Sequence, residues 1–238
     1  MTAVLESPVM EEISDDLVRI SIRFASRGRP KALGEALWSL WDNANRPERL
    51  DAVVAVDADD RTLFDMPGPG PVDFPPDCSL RVFPERLGYT RLHEYLNPIA
   101  LEAPGFWTMW FNDDMRMQTK GWDTFVANHR PAILWPEANH VLHANIAPIW
   151  PTSWAVANGY VTPTTHMDTF LQRVGEYLGR HDRIPVRIEH QRADVTGLHD
   201  DQTYAEGRSK LGPEGMVGEF PSGLVRPYAE RVRAEGLL

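Results

Sequence analysis

The sequence is poor in several features that would settle its class at once. Its single cysteine, Cys78, excludes an internal disulfide framework and any cysteine-rich zinc cluster, and suits a reducing compartment. Basic residues are in deficit: 24 Lys and Arg stand against 34 Asp and Glu, a formal charge of −10. The overall field therefore repels nucleic acid and acidic membrane surfaces unless a local basic patch intervenes. No apolar run approaches the ~20 residues of a membrane helix. The opening MTAVLESPVMEEISDD has neither the basic start nor the apolar core of a secretory signal. The expectation is a soluble, cytoplasmic protein with no membrane partner. GxxxxGK(S/T), GxGxxG and GxSxG patterns are absent, and the eight histidines show no HExxH or HxH spacing. P-loop, dinucleotide, serine-hydrolase and separate zinc-site readings fall away as first choices.

What is present suffices for a sizeable core: 238 residues, of which 42% are hydrophobic, fit one large domain or two small ones. Residues 17–24 alternate apolar and polar side chains as a strand does, and Pro30 then opens a helix carrying Leu33, Leu37, Leu40 and Trp41. Residues 51–57 read as an interior parallel strand that runs into Asp57-Ala58-Asp59-Asp60. After a proline/glycine connection over 66–78 come a short strand at 79–83 and a helical stretch from Gly88-Tyr89 with Leu92, Leu96 and Ile99, interrupted by Pro98. Phe106–Phe111 is a buried strand ending at Asn112-Asp113-Asp114. A helix over 121–128 and a strand over 132–135 continue the alternation, and residues 140–165 read as irregular. A helix from Asp168 and a strand at 185–188 delivering Glu189-His190 follow, then a broken tail over 212–238 with a short helix. Strands alternating with helices predict an α/β sheet flanked by helices in a single domain. Its expected parts are an acidic, flexible 1–16, a ligand-binding 17–130, a second side 131–211 and the tail.

Two aspartate clusters stand at the ends of two different strands, where α/β sheets gather ligands. Asn112-Asp113-Asp114 offers hard oxygens suited to Mg²⁺ or Mn²⁺ on phosphates, although Asn and Asp also serve ordinary turns. His190 can complete such a shell or simply lie at the surface. Each of the eight tryptophans is first of all a core residue; Trp150 and Trp154, in the stretch read as irregular, are the ones expected to offer a flat face to a ligand.

Phe24-Ala25-Ser26-Arg27-Gly28-Arg29-Pro30, Val53 to Asp60 and Asn112-Asp113-Asp114, in that order, resemble the nucleotide-binding half of GT-A-fold, family-2-like glycosyltransferases. The resemblance covers roughly residues 18–130 and, less fully, 166–201. It implies a GT-A-like, Rossmann-related, mixed but mostly parallel sheet. It also implies transfer of a sugar from a nucleoside diphosphate sugar, UDP-sugar favoured, to an acceptor hydroxyl with Mn²⁺ or Mg²⁺. By this resemblance Ser26, Arg27, Arg29, Asp57, Asp59, Arg86, Gly88, Tyr89 and Asp113 would line the donor site, with Asp57 on the base. Asp114 and His190 would hold the metal; Asn112 stands where many members carry a further aspartate. Asp168, opening its helix, matches the acidic base of inverting members and is equally a helix cap, expected to remain charged there. Asp201 is the second candidate base. The acceptor stays open between a small molecule, a glycan and a modified DNA base, the last not favoured by the net charge; Arg173, Arg180, Arg183, Arg187 and Arg192 form either a local basic surface or a solvated helix face. The alternatives are a sugar-phosphate nucleotidyltransferase and a non-catalytic nucleotide-sugar-binding module.

Overall fold

Period-two strands and period-3.6 helices alternate along the chain, and the computed structural model assembles them into one eight-stranded sheet covered on both faces. It describes residues 18–63, 73–139, 146–191 and 222–238. The strands are β1 (Ile20–Ala25), β2 (Leu50–Asp57), β3 (Cys78–Phe83), β4 (Trp107–Trp110), β5 (Met115–Met117), β6 (Ile133–Ala138), β7 (Ile149–Pro151) and β8 (His181–His190). Their spatial order is β3-β2-β1-β4-β7-β6-β8-β5. Parallel pairing joins β3, β2, β1 and β4, and again β6 and β8, while β7 and β5 run antiparallel to their neighbours. The sheet is thus mixed and mostly parallel, the class expected.

Alternation assigns the two faces. Ile20, Ile22 and Phe24 of β1 enter one core together with Leu33, Leu37 and Leu40 of α1 (Pro30–Asn43). Below the same face lie Trp122 and Val126 of a short helix, α3 (Trp122–Ala127). On the opposite face α2 (Leu92–Leu101), α4 (Thr152–Asn158), α5 (Met167–Leu178) and α6 (Ser222–Ala234) build a second core around Trp150, Trp154, Phe170 and Tyr228. Ser21 and Arg23 point to this second face. Arg23, 1% exposed, donates from Nε to the Ile99 carbonyl at 2.7 Å and from a terminal nitrogen to Asp51 at 2.9 Å, tying the end of α2 to β1 and β2. A glycine permits the closest approach: a Cβ on Gly175 of α5 would lie 2.9 Å from the Arg180 carbonyl oxygen and from Ile133, so the helix backbone rests directly on β6.

Several expectations change here. The stretch read as irregular over 140–165 contains β7 and α4. The strand at 185–188 lies within the ten-residue β8 (His181–His190), and a three-residue β5 follows the Asn112-Asp113-Asp114 turn. Pro98 lies inside α2, as read, and the far boundary that it left open falls at Leu101. The tail helix is no appendage: Val225, Tyr228, Ala229 and Val232 of α6 are buried against α4 and α5. The 1–16 boundary lies outside the described residues.

Candidate active site

The chain leaves β1 toward β2 on one side and β4 on the other, so the carboxyl ends of these three parallel strands open at a topological switch point. The turn after β1 knits them together. Ser26 Oγ donates to Asp113 Oδ2 at 2.7 Å, and Arg29 donates to Asp113 Oδ1 at 2.9 Å. Arg27 reaches the other way, to Asp57 Oδ2 at 2.9 Å and to both oxygens of Asp59 at 2.5 and 3.0 Å. The Gly28 amide donates to Asp60 Oδ2 at 2.8 Å. Six residues predicted for the donor site therefore form two hydrogen-bonded groups, Ser26 and Arg29 on Asp113 and Arg27 on Asp57 and Asp59, joined by the turn after β1.

The charges respond to these contacts. The hydrogen bond to Asp59 leads the causes that raise the Arg27 guanidinium above its ordinary range, and the same bond holds Asp59 below the usual carboxylate range. Burial pushes the Asp113 carboxyl up, opposed by the neighbouring Arg29 charge. Both Asp113 oxygens are engaged by the β1 turn, which makes it a strut between strands more than a metal ligand.

Asp114 follows in the same turn and is placed by β5. Met115 pairs with His190 across the antiparallel β5–β8 ladder, and the Gln191 amide donates to the Asp114 carbonyl at 2.7 Å. His190 Nε2 consequently lies 3.3 Å from Asp114 Oδ1, both side chains being largely buried. Asn139 fixes the histidine from behind, accepting from its backbone amide at 2.7 Å. Among the described residues no three His, Cys, Asp or Glu side chains converge on one point. An imidazole and a carboxylate in contact still fit a hard divalent ion that draws its remaining ligands from diphosphate oxygens and water, the usual way Mg²⁺ is held beside phosphates.

The turn after β3 supplies the rim. Arg86 is exposed and its charge acts on Asp59. Gly88 sits at φ 73° and ψ 180°, backbone that only glycine adopts without strain. Tyr89 opens a single 3₁₀ turn, and its carbonyl accepts from Thr165 Oγ1 at 2.8 Å, holding the segment before α5 against this rim.

Asp168 is the second residue of α5, not its N-cap, which is His166. Its Oδ1 accepts from the Thr169 amide at 2.7 Å, while its Oδ2 has no partner among the described residues. Burial pushes its carboxyl above the usual range, so the expectation that the helix terminus alone fixes its charge is corrected: desolvation outweighs the dipole and the local hydrogen bond. Asp201 lies outside the described residues, as does Arg192.

Trp150 and Trp154 are corrected more firmly. Both are wholly buried in the second core, and Trp154 Nε1 donates to the Leu237 carbonyl at 3.0 Å, so neither has a face for an acceptor. Of the basic surface, Arg173 pairs with Glu176 and Arg183 with Glu137.

Two participants, Tyr95 and Arg116, were not singled out from the sequence, and a third, Asp60, was quoted only as part of its aspartate cluster. Tyr95 donates its hydroxyl to Asp57 Oδ1 and accepts from the Leu87 amide at 2.8 Å. Asp60 anchors the Gly28 amide, and Arg116 donates to the Asp113 carbonyl at 2.8 Å, locking the aspartate turn. Asp60 stood within the quoted cluster; nothing local marks Tyr95 or Arg116.

A sheet of this order, with aspartates on the ends of β2 and β4 and a returning histidine, has the GT-A-like glycosyltransferase fold. The solved structures it resembles include S. aureus TarS, with a TM-score of 0.54 at 13% identity over 74% of this chain, which spans 37% of TarS. The TarS 1–349 fragment in complex with UDP-GlcNAc matches with a TM-score of 0.54 at 12% identity, over 91% of this chain and 73% of the fragment. The mannosyltransferase PcManGT from Pyrobaculum calidifontis, in complex with GDP-Man and Mn²⁺, matches with a TM-score of 0.56 at 13% identity, over 93% and 76%. At such identities the likeness is one of fold. No family model and no curated protein matches the sequence.

Proposed function

We propose that the protein is a metal-dependent glycosyltransferase that moves a sugar from a nucleoside diphosphate sugar, UDP-sugar favoured, to an acceptor hydroxyl. The observation that carries this reading is the pairing of Asp114 with His190 at 3.3 Å beside the Ser26–Arg29 turn, at the switch point of the sheet. The neighbours add support: TarS has been solved with UDP and UDP-GlcNAc, and PcManGT with GDP-Man and Mn²⁺.

In this reading Asp57 faces the nucleobase, with Arg27, Asp59 and Arg86 at its edge. Asp113, fixed by Ser26 and Arg29, sets the turn that aims Asp114. Asp114 and His190 would hold Mn²⁺ or Mg²⁺, which when bound neutralises charge on the departing diphosphate. Asp168 takes the proton of the acceptor hydroxyl on its Oδ2; burial raises its carboxyl, and in its ionised form a raised carboxylate is a stronger base than an ordinary one. Fixing donor and acceptor together supplies the rest by orientation.

The test is a thermal-shift screen of nucleoside diphosphates and their sugars with and without Mn²⁺, followed by product analysis. A metal-dependent shift with one base and release of free nucleoside diphosphate are expected. No shift with any nucleotide overturns the reading; release of pyrophosphate replaces it with nucleotidyl transfer.

A further inference from the structure

The donor-site carboxylate Asp57 is held from two sides that differ in character. Outward, Arg27, with 31% of its side chain exposed, donates to Oδ2 at 2.9 Å. Inward, Tyr95, 5% exposed, donates to Oδ1. Tyr95 rises from α2, where its ring packs edge-on to Phe83 at 4.9 Å between centroids, with Ala55 and Ile99 in the same small apolar cluster.

Its hydroxyl has no freedom to turn. The Leu87 amide donates to it at 2.8 Å and the Gly88 amide at 3.4 Å, so the phenol oxygen is an acceptor on that side and its one proton must go to Asp57. Burial, reinforced by that bond, pushes the phenol up to about 12, so the proton is present throughout the working range. Oδ1 is thereby committed inward, and the remaining acceptor capacity of the carboxylate lies at Oδ2, on the Arg27 side.

We propose that Tyr95 is a positioning residue for donor-base selection: by fixing Asp57 through Oδ1 it presents a pure acceptor toward the base, which admits nucleobases with a ring N–H and excludes those with a bare ring nitrogen. Uracil and guanine carry an N–H at the centre of the pairing edge; cytosine and adenine carry a lone pair there. Against a fixed carboxylate the second pair places two acceptors together, and a site built to accept a hydrogen bond discriminates strongly against a ligand that cannot donate one. The same hydroxyl ties the turn bearing Arg86 to the end of β2, so base readout and the rim share one anchor. This inference rests on the proposed function, since it assumes that Asp57 faces the base.

The experiment measures UDP, GDP, CDP and ADP affinity by calorimetry with Mn²⁺ for the full chain and for Tyr95→Phe, which keeps the ring and its packing. The wild type is expected to favour UDP or GDP over CDP and ADP. Tyr95→Phe is expected to lose about tenfold in that preferred affinity and to narrow the ratio over CDP, the size of one hydrogen bond to a charged group. Asp57→Asn provides the second arm. Tyr95 and Arg27 both donate to this side chain, and an amide has only one oxygen to accept with, so it no longer presents a pure acceptor and the preference for UDP or GDP over CDP and ADP should fall. Loss of binding by global destabilisation would lower all four affinities alike and leave the ratio unchanged. Wild-type ratios retained by Tyr95→Phe, or no change of preference in Asp57→Asn, overturn the positioning role while leaving the transferase reading intact. Absence of any nucleotide binding by the wild type overturns both.

Discussion

Burial disfavours the charge of the Asp168 carboxylate, and the cost of that charge can be separated from the use proposed for it. Its native pKa lies above the unfolded value of ordinary aspartate, so the native state binds more protons in the interval between the two. Stability from this group is therefore fully present at low pH and falls as pH rises through the raised pKa, whereas a base needs the ionised form. Asp168→Asn is expected to raise the melting temperature at neutral pH and to lower kcat at least ~100-fold, with donor KM little changed. The wild-type acid limb of kcat should fall above the usual carboxylate range. Unchanged turnover would move the base elsewhere, Asp201 first. The residues of the site were unevenly legible in the sequence. Asp57, Asp113 and Asp114 could be read because each ends an apolar strand, a local signal. Tyr95 could not: it lies 38 residues from its partner, and its role comes from how α2 packs on β2. Trp150 and Trp154 misled because proline and asparagine around them suggested loop, while tertiary pairing drew them inward.

The helices of the second face show what an element can gain from docking. α6 is amphipathic and carries Pro227 in its first turns, so its sequence resembles a broken tail. Burial of Val225, Tyr228 and Val232 against α4 and α5 supplies what propensity does not. Tyr228 is 1% exposed, and its hydroxyl finds no hydrogen-bond partner among the described residues. An unpaired buried hydroxyl costs about 1–3 kcal/mol, so Tyr228→Phe is expected to stabilise the protein by ~1 kcal/mol, or about 2–4 °C at this size. Tyr228→Ala removes the ring that meets Phe170 and Tyr160 edge-on and should cost ~3–5 kcal/mol in urea denaturation. A destabilised Tyr228→Phe would show that the hydroxyl has a partner. The same contrast explains which elements were legible. β1, β2, β4, α1 and α5 are long enough to display their period. β5 and β7 have three residues each, too few for any period, and exist because β8 and β4 offer them ladders.

Over the whole molecule the excess of acid is already partly neutralised where it is densest. Asp57, Asp59 and Asp113 are paired with Arg27 and Arg29, so a charge of −10 describes the active face poorly. Asp114 and His190 come from opposite halves of the fold: the aspartate from the turn after β4, which pairs in parallel with β1, the histidine from the end of β8, which pairs in parallel with β6. A divalent ion between them would join the halves, and its remaining coordination would be completed by diphosphate. Metal and nucleotide should therefore bind with positive coupling, each tightening the other by the same factor. Saturating UDP and Mn²⁺ together are expected to raise the melting temperature by more than the sum of their separate shifts. Ligand at 100 times its Kd contributes about 2.7 kcal/mol, which for a chain of this length corresponds to roughly 5–10 °C. Asp114→Ala should abolish transfer and erase the metal-dependent increment while keeping part of the metal-free nucleotide shift, because Asp57, Arg27 and Arg29 are untouched. Strictly additive shifts in the wild type, or an undiminished increment in Asp114→Ala, would place the metal elsewhere and sever the link between the two halves that the β5–β8 pairing provides.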